Sequence, residues 1–258
     1  MPRFRLLIEY AGTKYSGWQV QKNARTVAGE IERAVEDATG RRPAELYGSG
    51  RTDAGVHALA QVAHLDVATT LDARQLARRL NESLPHDIAI TACEKASHKF
   101  HARHSAESRS YVYQIATRKT AFGKPFVWWV KEPLDVAPMR RAAAALTGFH
   151  DFRSFADADP EERSTTVALE ALEIAEAGSL LLVRVTGSHF LWKMVRRIVG
   201  VLAAVGRGDL TEGDVAALLA GRSRLPAQLT APASGLFLER VRYPGDPADA
   251  RLRPVILT

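Results

Sequence analysis

A glycine-rich run in the first fifth of the chain places an arginine and an aspartate two positions apart. The run is GSGRTDAGVH, residues 48–57. In an extended turn, residues i and i+2 project to the same side, so Arg51 and Asp53 can address one pocket while Thr52 points elsewhere. A guanidinium beside a carboxylate favours the ionised acid, which suits a nucleophile better than a proton donor. The run therefore predicts a nucleophilic aspartate.

The glycines of this run do not match a phosphate-binding loop. Asp53 stands where the dinucleotide fingerprint requires its third glycine, and Val56 and His57 replace the Lys and Ser/Thr of a P-loop. The simplest alternative is a structural turn in which Arg51 and Asp53 form an ordinary ion pair, which is the usual meaning of an isolated R-x-D pair. For His57 we expect a role in ordering the loop or in contacting phosphate.

Glycoside hydrolysis needs a second carboxyl group near the first. Glu45 precedes the turn and Asp66 lies at the far end of the next strand, so neither has a local reason to converge on Asp53. A reaction that breaks a glycosidic bond and recaptures the same base needs less help of this kind. A nucleoside or glycoside hydrolase and a non-catalytic RNA-binding protein stay open as alternatives, although neither SGLFLERV nor GSHFLWKM fits the RNP1 pattern.

Composition and charge favour a globular protein with a polyanionic partner. The 258 residues are 46% hydrophobic and carry a net charge of +6, which suits nucleic acid without requiring it. No apolar stretch approaches the roughly 20 residues of a membrane span, and the N-terminus lacks a signal-peptide core, so we expect a cytoplasmic protein with no membrane partner. The single cysteine, Cys93, is expected in the core.

The elements that must position the turn follow from hydrophobic periodicity and from turn residues. In the first half the pattern predicts strand Phe4–Tyr10, helix Thr26–Thr39, strands Pro43–Tyr47 and Leu59–Val67, helix Asp72–Ser83 and strand Ile88–Glu94. In the second half it predicts strand Ser110–Thr117, helix Val136–Leu146, a strand pair over Val167–Thr186, helices from about Phe190 to Val205 and over Glu212–Leu219, and strand Gly235–Tyr243.

This order predicts a mixed α/β (α+β) fold of two pseudo-symmetric, ferredoxin-like β-α-β-β-α-β halves, residues 1–106 and 107–258. We expect a largely antiparallel sheet with helices on one face and a central RNA-binding cleft. The segment 118–133 is predicted to be an insertion or loop.

The sequence resembles the bacterial tRNA pseudouridine synthases of the TruA type. GSGRTDAGVHALAQVAHLD matches their signature, and further landmarks follow in order: YAGTKYSGWQVQ, NESLP, KFHAR, SRSYVYQI, HDFRSF, MVRRIVG and SGLFL. The resemblance covers nearly the whole chain. It implies isomerisation of uridine to pseudouridine at positions 38, 39 and 40 of the tRNA anticodon arm, by a homodimer that uses no cofactor and no metal.

The resemblance also implies roles for individual residues. Asp53 is similar to the catalytic aspartate, which attacks ribose C1′ or uracil C6, and Arg51 to the arginine that pairs with it and helps displace the base. Tyr111 resembles the tyrosine that stacks on the target uracil, although Tyr113 shares its side of the strand. Arg196 resembles a helix-borne arginine that reaches the aspartate. Either Leu236 or Leu238 resembles the apolar floor beneath the base.

The chain departs from the family pattern near the long helix. Trp192 and Lys193 stand where smaller aromatic residues or His are frequent, and Arg197 replaces a frequent Asn. Trp192 is expected to be either a stacking surface or part of the core. A separate spacing, of three residues between His98, His101 and His104, is an unfavourable metal pattern because an extended chain alternates their faces and no carboxylate or Cys completes a set.

Overall fold

The computed structural model describes residues 1–158, 164–247 and 250–256. The chain divides into two compact units, Met1–Glu107 with Phe237–Asp246, and Ser108–Leu236 with Pro247–Thr258. The sequence had assigned the last strand to the second half. That strand belongs instead with the first unit, because residues Phe237 and Leu238 pair in parallel with His57 and Ala58.

The first unit contains the predicted β-α-β-β-α-β order. Its elements are β1 (Arg3–Tyr10), α1 (Val27–Thr39), β2 (Glu45–Gly48), β3 (His57–Asp66), α2 (Ala73–Ser83) and β4 (Ile88–Ala96). Strands β4, β1 and β3 are adjacent and antiparallel, and β2 pairs antiparallel with β3. The strand order is that of a split β-α-β unit, so the prediction for this half is confirmed.

The second unit is built on a long hairpin. Its elements are β5 (Ser108–Ala116), β6 (Trp128–Trp129), α3 (Val136–Leu146), β7 (Gly148–Asp151), β8 (Thr166–Ala177), β9 (Leu180–Gly187), α4 (Met194–Arg207), α5 (Glu212–Ala220) and α6 (Leu225–Gln228). The last strand, β10 (Leu236–Arg242), belongs to the first unit from Phe237 onward. Strands β5, β9, β8 and β7 are neighbours in that order and antiparallel. Strand β6 pairs in parallel with β5, and β10 pairs in parallel with β3.

Capping residues fix the helix starts that the sequence predicted. The Thr26 side chain accepts from the Gly29 N–H, and Asp72 forms a capping box with Gln75. Asp135 accepts from the Ala137 N–H at the start of α3. Each cap satisfies a backbone donor that has no partner inside the helix, so these three helices begin where local chemistry stabilises them.

The structure differs from the sequence prediction at the long helix. The apolar spacing predicted a start near Phe190, whereas α4 begins at Met194. Lys193 lies in the left-handed region, with φ 63°, and therefore interrupts the helical path before that point. Two short elements, β7 and α6, and the two-residue β6 inside the predicted loop 118–133 were also not expected.

A polar network joins three strands of the first unit. Arg3 Nε and Nη2 donate to the two carboxylate oxygens of Asp66 at 2.8 and 2.7 Å, and Nη2 also donates to Glu45 at 3.1 Å. These residues are opposite one another across β1, β3 and β2, where cross-strand charge pairs form. The Arg3 hydrogen bond holds the pKa of Asp66 below its ordinary value, against the opposing effect of burial.

Two sequence expectations concern the environment of the chain. Burial raises the pKa of the Cys93 thiol to about 12 on the half-buried strand β4, so this residue stays protonated at neutral pH and is inert rather than reactive. In the part of the chain that the structure describes, every helix is too short or too polar to cross a bilayer.

We predict that Asp66 contributes to stability in a pH-dependent way. Because its folded pKa is depressed, its contribution is present above the unfolded value of about 3.9 and is lost as pH falls through the folded value. Asp66→Asn should lower the free energy of unfolding at pH 7 by about 2 kcal/mol. The free energy of unfolding of this variant should also fall less steeply than that of the wild type as the pH is lowered. Urea unfolding between pH 7 and pH 3 measures both effects. The exposed Asp37→Asn serves as control, and equal acid slopes in all three proteins would contradict the prediction.

Candidate functional site

The Arg51-Thr52-Asp53 segment is held by its middle residue. Thr52 is buried, and its hydroxyl hydrogen-bonds the Tyr10 hydroxyl at 2.8 Å. Its carbonyl accepts from the Trp18 N–H at 3.1 Å. Arg51 is exposed and Asp53 is half-buried. The alternation predicted from the sequence is confirmed: the structure buries Thr52 and leaves the residues on either side facing outward.

The residues that lead into this segment are fixed by a buried amide. Gln61 is fully buried on β3; its Oε1 accepts from the Ser49 hydroxyl at 2.7 Å, and its Nε2 donates to the Gly50 carbonyl at 2.9 Å. The Trp18 ring lies against Gly48, where an added Cβ would approach it to 2.7 Å. A larger residue at position 48 would therefore displace the indole on which the turn rests.

The residues that follow the segment pack against the loop after β1. Gly12 approaches Val56 so closely that an added Cβ would lie 1.8 Å from the Val56 carbonyl oxygen. The Gly12 N–H donates to Nδ1 of His57 at 3.0 Å, and the His57 ring stacks on Phe237 at 4.7 Å. His57 is only 1% exposed. Of its two expected roles, this arrangement supports ordering of the loop rather than contact with phosphate.

The loop after β1 is itself anchored on both sides. The Tyr15 carbonyl accepts from the Gly55 N–H at 3.2 Å, and the Tyr15 hydroxyl donates to the Asp87 carboxylate. Burial and this hydrogen bond raise the pKa of Tyr15 well above its ordinary value. The Arg25 guanidinium lies 4.9 Å from the centre of the Tyr15 ring and also pairs with Glu30. The turn therefore rests on a rigid support.

The two tyrosines of β5 have different environments. Tyr113 is fully buried and its hydroxyl donates to the Pro232 carbonyl at 2.7 Å. Tyr111 is 8% exposed, and the Phe190 ring meets it edge-on at 5.2 Å. Both tyrosines are buried, Tyr113 completely and Tyr111 with a small exposed fraction and a ring contact to Phe190. The choice of Tyr111 over Tyr113 as the ligand-contacting residue stays a prediction.

The two arginines of the MVRRIVG motif also differ. Arg196 is half-buried on α4 and its Nε donates to the Ala231 carbonyl at 2.8 Å. Arg197 is 4% exposed and pairs with Asp157. Arg197 therefore serves the interior of the second unit, and Arg196 is the arginine of this pair that reaches the surface.

The apolar candidates flank Phe237 on β10. Leu236 is 5% exposed and Leu238 is fully buried. Both side chains project to the face opposite Phe237, because alternate residues of a strand share a face. Their assignment as the floor beneath a base stays a prediction.

Other carboxylates near β3 are engaged elsewhere. Glu45 and Asp66 both bind Arg3, and Glu45 also accepts from His64 at 3.0 Å. They lie at the end of β3 remote from Asp53, since Asp66 is its last residue and His57 its first. Neither carboxylate is placed to act with Asp53 as the second acid of a hydrolase.

Two of the three histidines that are spaced by three residues, His101 and His104, lie together near His64, which donates to Glu45. The His101 ring is 4.3 Å from His104 and 4.7 Å from His64, and burial together with these neighbours lowers its pKa. Within residues 1–158, 164–247 and 250–256, three or more His, Cys, Asp or Glu side chains nowhere meet in a way that could hold a metal ion.

Sequence reasoning missed the residues that support the turn. Tyr10, Trp18 and Gln61 carry no charge and form no recognisable chemical pattern, yet each contacts residues 48–52 directly. All three residues lie within the two longest family motifs, YAGTKYSGWQVQ and GSGRTDAGVHALAQVAHLD, but nothing in the sequence alone was a reason to assign them a role. The partners of these residues are distant along the chain, so only the folded structure connects them.

Comparisons with known proteins agree along nearly the whole chain. The family described as tRNA pseudouridine synthase matches residues 6–105 and 142–244. The tRNA pseudouridine synthase A of Maricaulis maris is 41% identical over 248 residues, covering 95% of this chain and 99% of the relative. That of Agrobacterium fabrum is 38% identical over 261 residues, covering 99% and 97%.

A solved structure, an archaeal box H/ACA sRNP Nop10-Cbf5 complex, shares 11% identity at a TM-score of 0.32. The match covers 78% of this chain and 42% of the solved chain. A likeness this low adds nothing to the assignment.

We predict that the close backbone contact between Gly12 and Val56 stabilises the folded protein. Gly12→Ala should destabilise the protein by about 1 to 3 kcal/mol, because two backbone segments would have to separate. Gly50→Ala, in the same motif but with open space around the added Cβ, should change stability by less than about 0.5 kcal/mol. Urea unfolding measures both variants. Equal stabilities for the two would show that the close approach does not hold the turn.

Proposed function

The chain belongs to the tRNA pseudouridine synthase family, and on that premise we propose that it isomerises uridine to pseudouridine at positions 38, 39 and 40 of the tRNA anticodon arm. Enzymes of this family are isomerases that act on uridine in tRNA. The observation that carries the residue-level proposal is the turn itself: a buried Thr52 presents Asp53 and Arg51 outward from a rigid support.

The proposed nucleophile is the Asp53 carboxylate. In the reaction the N1–C1′ glycosidic bond of uridine breaks, a C5–C1′ bond forms, the C5 proton leaves and N1 is protonated. Reactant and product are isomers, so neither oxidant nor co-substrate is needed, and the proposal includes no cofactor. Attack by Asp53 at C1′ or at C6 is compatible with one carboxylate, and Arg51 is proposed to pair with that carboxylate and to help displace the base.

The target uridine must leave the helical stack to be attacked. Extrusion costs a few kcal/mol, and stacking on an aromatic ring returns about 1 to 3 kcal/mol. We assign the stacking to Tyr111, which is 8% exposed where Tyr113 is fully buried, and whose ring contacts Phe190 edge-on. Arg196, on the exposed side of α4, is proposed to reach the same nucleotide, and Leu236 or Leu238 to lie beneath the base.

The net charge of +6 is consistent with a polyanionic substrate. The homodimer implied by the resemblance and the cytoplasmic location expected from the sequence belong to this proposal. Glu45 and Asp66, the two carboxylates considered for a hydrolase, both bind Arg3 at the far end of β3, which favours this proposal over the hydrolase alternative.

We predict that Asp53→Asn abolishes the reaction and spares binding. Loss of the nucleophile should lower the rate of tritium release from [5-³H]uridine-labelled tRNA at least about 10⁴-fold, while affinity for unmodified tRNA is retained. Asp37→Asn, an exposed carboxylate on α1, is the matched control and should behave as wild type. Undiminished release by Asp53→Asn would refute the nucleophile. Free uracil among the products of the wild type would instead identify a hydrolase.

We predict that the ring of Tyr111 matters more than its hydroxyl. Tyr111→Phe should retain appreciable activity, whereas Tyr111→Ala should reduce kcat/KM about 5- to 150-fold through lost stacking. Tyr113→Phe, which loses the bond to Pro232, is the matched control and should affect stability without affecting turnover. Complete inactivity of Tyr111→Phe with intact tRNA binding would indicate proton transfer by the hydroxyl.

A further inference from the structure

Trp192 is exposed although Leu191 before it and Met194 two residues after it are buried. The indole is 47% exposed, while Leu191 is 5% and Met194 0% exposed. A loosely packed loop would expose all three residues. The segment is therefore built to hold one large aromatic ring in solvent, and of its two expected roles the core is excluded.

The backbone at this point is strained. Lys193, with φ 63°, is the one non-glycine residue with a positive φ among the residues that the structure describes. Such a conformation is unfavourable for a residue with a Cβ and persists only where the surroundings impose it. Strain at a defined position of this kind occurs at ligand-binding sites more often than elsewhere.

Asp157 contacts both Trp192 and Lys193 and so holds Lys193 in its left-handed conformation. Its carboxylate accepts from Lys193 Nζ at 2.7 Å and from the buried Arg197, and its N–H donates to the Trp192 carbonyl at 3.1 Å. The Lys193 Nζ also lies 5.0 Å from the centre of the Trp192 ring. Backbone, carboxylate and ammonium thus fix the indole in one orientation.

From this arrangement we propose that Trp192 is a stacking platform for an unpaired nucleotide of the RNA, distinct from the uridine that is modified. An indole face accepts any base, and an adjacent ammonium group adds to the positive potential that favours an anionic strand. Trp192 lies four residues before Arg196 in the sequence, and Phe190 of the same segment contacts Tyr111. The segment 190–196 therefore lies beside the two residues of the second unit assigned to the target nucleotide. The inference rests on the proposed tRNA substrate and not on the role of Asp53.

The proposal is tested by comparing the tRNA affinity of Trp192 variants with their turnover rate. Trp192→Ala should weaken the affinity for unmodified tRNA about 5- to 150-fold, the effect of losing one base stack, and raise KM while leaving kcat within about twofold. Trp192→Phe should restore most of the affinity because it keeps an aromatic face. Addition of tRNA should quench less tryptophan fluorescence in Trp192→Phe than in the wild type.

Phe149→Ala is the matched control, since it removes another exposed ring, 75% exposed on β7, and should bind tRNA as the wild type does. Wild-type affinity in Trp192→Ala would overturn the proposal. So would a change from dimer to monomer in sedimentation, which would show that the ring contacts a second copy of the chain. If Trp192→Ala does not fold, equal quenching in the wild type and Trp192→Phe is the deciding contrary result.

Discussion

The hydrogen bonds to Thr52 are the constraint on which the proposed chemistry depends. A side chain in an extended segment points opposite to its neighbours, so fixing the middle residue to Tyr10 and Trp18 also fixes the directions of Arg51 and Asp53. A nucleophile must be held near its productive geometry by groups that do not themselves react. In this chain that support comes from uncharged residues of β1 and of the loop that follows it.

The distribution of carboxylates decides between reaction types. Strands β1, β2 and β3 carry Asp66 and Glu45 in a network with Arg3, where they stabilise the sheet and have no spare capacity for proton transfer. Asp53 lies in the turn that precedes the other end of β3, and residues 48–57 of this turn contain no second acidic residue. A single carboxylate suits an isomerisation in which the base is recaptured, since no neutral base has to depart.

The start of α4 shows how one ion-pair network can arrange several surface groups. Asp157 binds the buried Arg197 and the strained Lys193, and the helix consequently begins three residues after Leu191 rather than at Phe190. The delayed start leaves Phe190 free to contact Tyr111 and turns Trp192 toward solvent. The residues Trp192, Lys193 and Arg197 belong to this one network.

The sequence by itself determined the elements whose signals are local. The starts of the helices near Thr26, Asp72 and Val136 and the alternation around Thr52 depend on signals within a few residues, and the structure agrees with them. Only the tertiary structure decided that Tyr113 is fully buried, that Arg197 is interior while Arg196 is half-buried, and that the last strand joins β3. Adjacent or alternate residues of one type look equivalent in a sequence, because their difference lies in partners such as Pro232 and Asp157 that folding brings from far along the chain.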